Sequence, residues 1–356
     1  MNELMLNNHI VWINKIELCN TLIEDMRGKR VSFFCSNSQI KRLQLENFYR
    51  RLQVEADLIH LYQIPSNPTY KDVYRHIKNH GDKIPDIAIA IGGGSAIDIA
   101  KAVVGLIYLR DVQDFSEETI LDALKNKKYL DYRPATSIFA VPTTAGTGSE
   151  VTKWATIWDM QSKIKYSIET PWLLPKKVYM VPELTKSMPK RLTLSTGLDA
   201  LCQAVESYWA RSSNKMVRVL SLSAIELIVE NLPKVLENPN NILYREKVSL
   251  GSLFSGLAFS NTRTTACHSI SYPLTMEFNI EHGLACALTL TEVMNINGPV
   301  IEEFERLKKA LNIKEIKDLQ KWIDDTSKDI VTMRLSGFGV KKSDIKKIAK
   351  LSFPQG

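Results

Sequence analysis

The sequence holds few of the residues that announce a preassembled centre. Its 356 residues include six histidines and five cysteines, and no HExxH or paired CxxC signature sets two metal ligands side by side. Cys19, Cys35, Cys202, Cys267 and Cys286 are scattered and odd in number, which fits reduced thiols better than a disulfide framework. No uninterrupted apolar run approaches the roughly 18 to 20 residues that a membrane span requires. Internal repeats and low-complexity tracts are absent. The opening residues MNELMLNNHIVWINK lack a basic stretch followed by an apolar one, so no signal peptide is expected and a cytoplasmic location is. The net charge of +7 is spread through helix-like segments without interleaved aromatics. Nucleic acid and membrane are therefore not expected partners, and a mildly basic enzyme that handles anions accounts for the charge.

What is present is an ordinary globular composition, 44% hydrophobic and 24% charged, in a chain long enough for two domains. From Arg30 the run RVSFFCS reads as a buried strand, and NSQIKRLQLENFYRRLQVEA after it as one helix. DLIHLYQI, a helix from Tyr70 to His80 capped by Thr69, and DIAIAIGGGSAIDIAKAVVGLIYL repeat the strand and helix alternation of a parallel α/β sheet. From about Thr185 long amphipathic helices take over, at Arg191 to Arg211, Lys215 to Glu237 and Tyr244 to Asn261. The expected division is an α/β domain over residues 1–187 and a helical domain over 188–356.

Two glycine-bearing loops follow strands. Gly92, Gly93, Gly94 and Ser95 open a helix whose free N–H groups and positive end suit a phosphate. Thr143, Thr144, Thr147 and Ser149 lie in the loop PTTAGTGSE. Two such loops at the carboxyl ends of one parallel sheet define the crevice where open α/β sheets bind ligands. After the first strand, RVSFFC, come Ser36 and Asn37, with no carboxylate until Glu46 to exclude a 2′-phosphate, so if the crevice takes a nicotinamide dinucleotide, NADPH is expected to be accepted and preferred over NADH.

His268 and His282 are the only histidines after His80, and Pro273 between them is expected to break the helix and place them on two elements. Asp199 and Gln203, at i and i+4, share one helical face. A carboxylate, an amide oxygen and two imidazoles suit Fe(II) or Zn(II).

IGGGSAIDIAK, VPTTAGTGSE, STGLDALCQAVESY and ACHSISYPLTMEFNIEHG, in that order and spacing, resemble the group III, iron-containing alcohol dehydrogenases. The resemblance implies a Rossmann-like parallel sheet followed by an all-α domain, a dehydroquinate synthase-like architecture, with nicotinamide cofactor, metal and substrate in a cleft between them. It makes residues 1–187 the dinucleotide-binding domain and residues 188–356 the metal- and substrate-binding domain. It implies metal ligands at Asp199, His268 and His282, with Gln203 where the family usually has a fourth, histidine ligand. It places Tyr272 where a further family histidine stands, leaving Tyr272 or a water as the proton source. Asp98 and Lys165 join the implied cofactor residues. Gln203 and Tyr272 together resemble the phosphonoacetaldehyde reductase branch, which implies a small anionic aldehyde held by a cation such as Lys153, Lys165 or Arg263. A homodimer is implied by resemblance alone. Other small-aldehyde reductases, a lyase-type relative and a non-redox nucleotide sensor are the rival readings. The chain ends at KKIAKLSFPQG, where the family is expected to continue.

Overall fold

Short, mostly apolar segments of four to six residues form a six-stranded sheet in which every pairing is parallel. The computed structural model describes residues 8–61 and 64–353. These fall into two units: residues 8–144 with 149–187, and residues 145–148 with 188–353.

The first unit contains strands β1 (His9–Trp12), β2 (Arg30–Phe34), β3 (Asp57–Leu61), β4 (Ile87–Gly92), β5 (Ser137–Pro142), β6 (Trp154–Asp159), β7 (Ile164–Glu169) and β8 (Lys177–Met180). Its helices are α1 (Lys15–Met26), α2 (Asn37–Arg42), α3 (Glu46–Glu55), α4 (Tyr70–Asn79), α5 (Gly94–Leu106) and α6 (Glu117–Lys125). The sheet order is β1-β8-β5-β4-β2-β3, and β6 pairs with β7 as a separate antiparallel hairpin. Strand β4 shows why the sheet is buried on both sides. Ile87, Ile89 and Ile91 join the core that includes Leu18, Leu22 and Phe48, while Ala88 and Ala90 join the core of α4 and α5. After β2 the chain steps outward to β3 and then back across β2 to β4, so the order reverses between β2 and β4, the position where such sheets take ligands.

The helix expected after β2 is two helices. Gln44 adopts φ 52° between α2 and α3, in the left-handed region that ends a helix. The Thr69 cap of α4 is present as a capping box with Asp72.

The second unit contains α7 (Lys190–Trp209), α8 (Lys215–Glu237), α9 (Ile242–Thr262), α10 (Ala266–Phe278), α11 (His282–Asn297), α12 (Phe304–Ala310), α13 (Ile316–Ser327) and α14 (Ile345–Ser352). Residues 145–148 pack with this unit: Ala145 shares a small core with Val235 and Val248. A Cβ on Gly148, which has φ 60°, would lie 2.6 Å from Gly256 Cα, and one on Gly146 would lie 2.7 Å from Thr196 O. Only glycine permits those approaches. Pro273 does not break the chain where expected. It sits inside α10, and the helix ends at Asn279, whose φ of 53° turns the backbone before α11 begins. The two histidines thus lie on separate helices because of a left-handed asparagine, which tolerates that conformation.

Candidate metal and cofactor sites

Helix α7 carries Asp199, Gln203 and Glu206 on one buried face, at i, i+4 and i+7. His268 comes from the first turn of α10 and His282 from the first residue of α11. Gly283 sets their spacing: a Cβ there would overlap Ser195 O at 1.8 Å and approach Asp199 Cβ at 2.9 Å. Its absence lets α11 lie against α7.

The result is a convergence of donors. Asp199 Oδ1 is 3.3 Å from His268 Nε2 and 3.8 Å from His282 Nε2. Cys286 Sγ is 3.9 Å from His282 Nε2, and one ligand atom from each of Asp199, His268, His282 and Cys286 falls within 4.8 Å of the others. Asp199 Oδ1 and His268 Nε2 are buried and make no hydrogen bond. Two unsatisfied lone-pair donors at 3.3 Å are costly in an empty protein interior and suit a shared cation, so these residues fit a divalent metal.

Glu206, which sequence reasoning missed, organises this centre. Its side chain is fully buried. It accepts from the backbone N–H of Cys267 (2.8 Å) and Thr265 (3.1 Å), from Thr265 Oγ1 (2.6 Å), and from His268 Nδ1. A hydrogen held on Nδ1 leaves the Nε2 lone pair facing Asp199. Burial alone would raise the Glu206 carboxyl, but the His268 imidazole and the donors around it hold it below its usual range. Desolvation would lower both imidazoles, and the Cys286 sulfur with the neighbouring carboxylates outweighs it. His268 stands well above its usual value and His282 above it. Burial would likewise raise the Cys286 thiol, yet the two imidazoles bring it down to about 7.

Gln203 is buried beside Asp199, but its amide points elsewhere. Nε2 faces Thr147 O at 3.5 Å, and Oε1 lies 3.5 Å from Ser255 Oγ, which gives its hydrogen to Ala200 O at 2.7 Å. Tyr272 is half-buried, with its ring stacked on that of His282 at 5.9 Å and 6°.

In the α/β unit the glycine loop has the tightness its sequence implies. A Cβ on Gly92 would meet Ala96 Cβ at 2.5 Å and Gln39 Nε2 at 3.1 Å, and one on Gly93 would meet Thr144 Oγ1 at 3.2 Å. Gly93 caps α5, and the first-turn N–H groups of Gly94 and Ser95 have no partner within that helix. Ser95 Oγ donates to Ser66 O, and Thr143 N–H donates to Gly92 O at 2.9 Å. Ser36 caps α2 through Gln39 and is followed by Asn37 at its first turn. The expected cofactor residues Asp98 and Ser149 bond to each other instead of standing free: Ser149 Oγ donates to Asp98 Oδ1 at 2.6 Å, and Thr156 N–H donates to Oδ2 at 3.1 Å. Burial raises the Asp98 carboxyl, against the pull of Lys101 and, more weakly, of Lys165 on β7.

Lys101 is the second residue the sequence did not disclose. Fully buried, its ammonium donates to the carbonyls of Ser149 (2.6 Å), Thr152 (2.8 Å) and Trp154 (2.9 Å), pinning the loop after Gly148 to α5. Burial lowers it to about 8, and the Asp98 and Glu150 carboxylates oppose the fall. Glu150 is itself raised by burial to about 7.

Of the expected substrate cations, Lys153 lies 3.4 Å from the Glu169 carboxylate. Arg263 is exposed at the end of α9 with φ 71° and ψ 172°, a backbone region nearly reserved for glycine. Among the described residues no helix is long and apolar enough to cross a membrane.

Comparison with known proteins agrees with the motifs. The family description "iron-containing alcohol dehydrogenase" matches residues 10–182, and the C-terminal region of the Fe-containing alcohol dehydrogenase family matches residues 193–355. Phosphonoacetaldehyde reductase of Streptomyces viridochromogenes is 37% identical over 218 residues, 60% of this chain and 54% of that protein. The match therefore spans about half the length of that relative. The 4-hydroxybutyrate dehydrogenase of Clostridium kluyveri is 31% identical over 292 residues, 79% of this chain and 75% of that protein. The crystal structure of sulfoacetaldehyde reductase from Bifidobacterium kashiwanohense in complex with NAD+ superposes with a TM-score of 0.86 at 25% identity, over 99% of this chain and 92% of that one. With its parallel sheet, its helical unit and these matches along nearly all of its length, the chain belongs to the iron-containing alcohol dehydrogenase family.

Proposed function

We propose that this chain reduces a small anionic aldehyde to the corresponding alcohol with NAD(P)H and a divalent metal, and that its substrate is phosphonoacetaldehyde, giving 2-hydroxyethylphosphonate. The observation that carries the reading is the pair of buried, unpartnered donors, Asp199 Oδ1 and His268 Nε2, beside His282. A divalent cation there would supply Lewis acidity toward a carbonyl oxygen, and a reduced nicotinamide would supply the hydride.

The chain's own residues supply the rest. Asp199 brings the negative charge to the ligand set, and Glu206 keeps His268 in the tautomer whose Nε2 faces it. The balance of the reaction is aldehyde, NAD(P)H and one proton to alcohol and NAD(P)+. Tyr272, stacked on His282, is the group we assign to deliver that proton. Gly92, Gly93 and Gly94 with the start of α5 would take the pyrophosphate, and Ser36 and Asn37 the ribose end. Thr143, Thr144 and Thr147 belong to the second loop, and Ser149 after it is tied to Asp98 by a 2.6 Å hydrogen bond, with Lys165 the remaining residue assigned to the cofactor.

The substrate class rests on the 37% identity with a phosphonoacetaldehyde reductase and on the exposed cation Arg263. The likeness to a sulfoacetaldehyde reductase favours a second reading with a sulfonate in place of the phosphonate. Both readings carry over the homodimer as a proposal.

The test is nicotinamide absorbance on mixing metal-loaded protein with phosphono-, sulfo- and unsubstituted acetaldehyde. Highest kcat/KM with the phosphonate is expected. A higher value with sulfoacetaldehyde would replace the first reading by the second, and oxidation of NAD(P)H with none of the three would overturn both.

A further inference from the structure

The site has one donor too many for the ligand set that its family motifs imply, and one whose amide is turned aside. We infer that Cys286 is the fourth protein ligand of the metal centre, in place of Gln203, and that the set Asp199, His268, His282 and Cys286 selects zinc over iron. This deepens the functional reading above and rests on its premise that a cation binds here.

Three observations carry it. First, the distances fit. An ion with ligand bonds of about 2.0 to 2.3 Å in tetrahedral array holds its donors about 3.3 to 3.7 Å apart. The separations of 3.3, 3.8 and 3.9 Å among Asp199, His268, His282 and Cys286 lie at or just above that span. The widest pair, within 4.8 Å, needs a contraction of about 1 Å, within the reach of side-chain torsions.

Second, the two candidates for the fourth place are oriented differently. Cys286 stands one turn beyond His282 on the same face of α11, and its sulfur looks onto an imidazole nitrogen. The Gln203 amide is turned so that Nε2 faces Thr147 O at 3.5 Å, and its oxygen lies 3.5 Å from Ser255 Oγ, whose hydrogen goes to Ala200 O at 2.7 Å.

Third, the position is fully buried, yet the sulfur adjoins ring nitrogens, unlike a core thiol that merely fills apolar space. Thiolate with imidazole and carboxylate suits zinc better than Fe(II), because a soft ligand favours the later metal. Zinc can still expand from four to five ligands, leaving a place for a substrate oxygen.

Cobalt(II) reports the ligand directly, since a cobalt thiolate bond gives a charge-transfer absorption in the near ultraviolet and imidazole, carboxylate or amide bonds do not. The full-length protein, stripped of metal and loaded with Co(II), is expected to show that band. C286S, a change of one atom, is expected to keep the visible cobalt bands, lose the near-ultraviolet one and bind zinc at least tenfold more weakly. Q203A and C202S are expected to leave the near-ultraviolet band in place, and a normal circular dichroism spectrum shows that each variant is folded. Cobalt bound without the band, or the band surviving in C286S, overturns the inference while leaving a metal-dependent reductase intact. Failure of the wild-type protein to bind cobalt or zinc at all overturns both.

Discussion

Glu206 on α7 accepts the Nδ1 hydrogen of His268 on α10, and both side chains are buried. A carboxylate behind a histidine ligand fixes ring orientation and raises the basicity of the other nitrogen, and its loss elsewhere costs metal affinity by about 10- to 100-fold. We expect E206Q, which keeps the shape and one acceptor, to fold and to bind zinc about tenfold more weakly in a chelator competition, with E206A weaker still. Unchanged affinity in both would show that the pair is only a packing device.

The same pair predicts a pH dependence for the metal-free protein. Glu206 titrates below its ordinary 4.5 in the folded state, so its contribution is present above that value and fades as pH falls through the lowered one. His268 titrates well above its ordinary 6.5, so its contribution is complete below 6.5 and is lost as pH rises through the raised value. The metal-free melting temperature should therefore peak between these limits and decline on either side. Metal loading needs the imidazole neutral at Nε2, so it should abolish the alkaline decline. Melting curves with and without zinc at a series of pH values decide this; parallel profiles for the two forms would contradict it.

Arg263 combines an exposed cation with a backbone that only glycine adopts readily, a conformation costing about 1 to 3 kcal/mol. Strain of that kind persists when the side chain is wanted in place. R263G should melt at the same or a higher temperature. It should also raise KM for phosphonoacetaldehyde about 10- to 100-fold, the worth of a charged hydrogen bond of about 1.5 to 3 kcal/mol. Acetaldehyde kinetics should not change. Equal losses for both aldehydes would show that Arg263 shapes the chain without touching an anion.

Cofactor choice follows from the end of β2. Ser36 and Asn37 offer a hydroxyl and an amide, and Lys41 and Arg42 in the last turn of α2 are exposed cations. No carboxylate stands between Ser36 and Glu46 to repel a 2′-phosphate. NADPH should be used at least as well as NADH. A kcat/KM tenfold or more in favour of NADH, about 1.4 kcal/mol in the transition state, would reverse the assignment.

Four strands of the parallel sheet and both glycine loops were legible in the sequence, because RVSFF, DLIHL, IAIAIG and SIFAVP are short, largely apolar runs bounded by turn residues, as at DIAIAIGGG. Strands β1 and β8 were not, since runs of four residues are too short to carry a periodic signal. The hairpin β6–β7 was also missed, its reversal being made by Lys163 at φ 54° with no glycine to mark it. In the metal centre Asp199, His268 and His282 stand out by type and motif. Glu206 does not, because a glutamate in a helix is ordinarily solvated, although its position seven residues after Asp199 puts it on the same face. Cys286 was passed over for a similar reason: one buried cysteine is commonplace, and only its spacing of four from His282 distinguishes it. Lys101 depends on three carbonyls about fifty residues away in sequence, which no local pattern encodes.

Residues 145–148 impose an order on synthesis. They leave the ribosome well before their partners, because Val235, Val248 and Gly256 follow by about a hundred residues, on the order of 5 to 20 seconds at usual rates of elongation. During that interval the loop after β5 waits without the helices that cover it. Alanine, glycine and threonine make a quiet waiting segment, with little apolar surface to attract a wrong partner. A nascent chain stalled between β8 and α9 therefore carries a complete β5 but an unfinished loop behind it, and the last contacts of Ala145 and Gly148 wait for Val248 and Gly256 of α9.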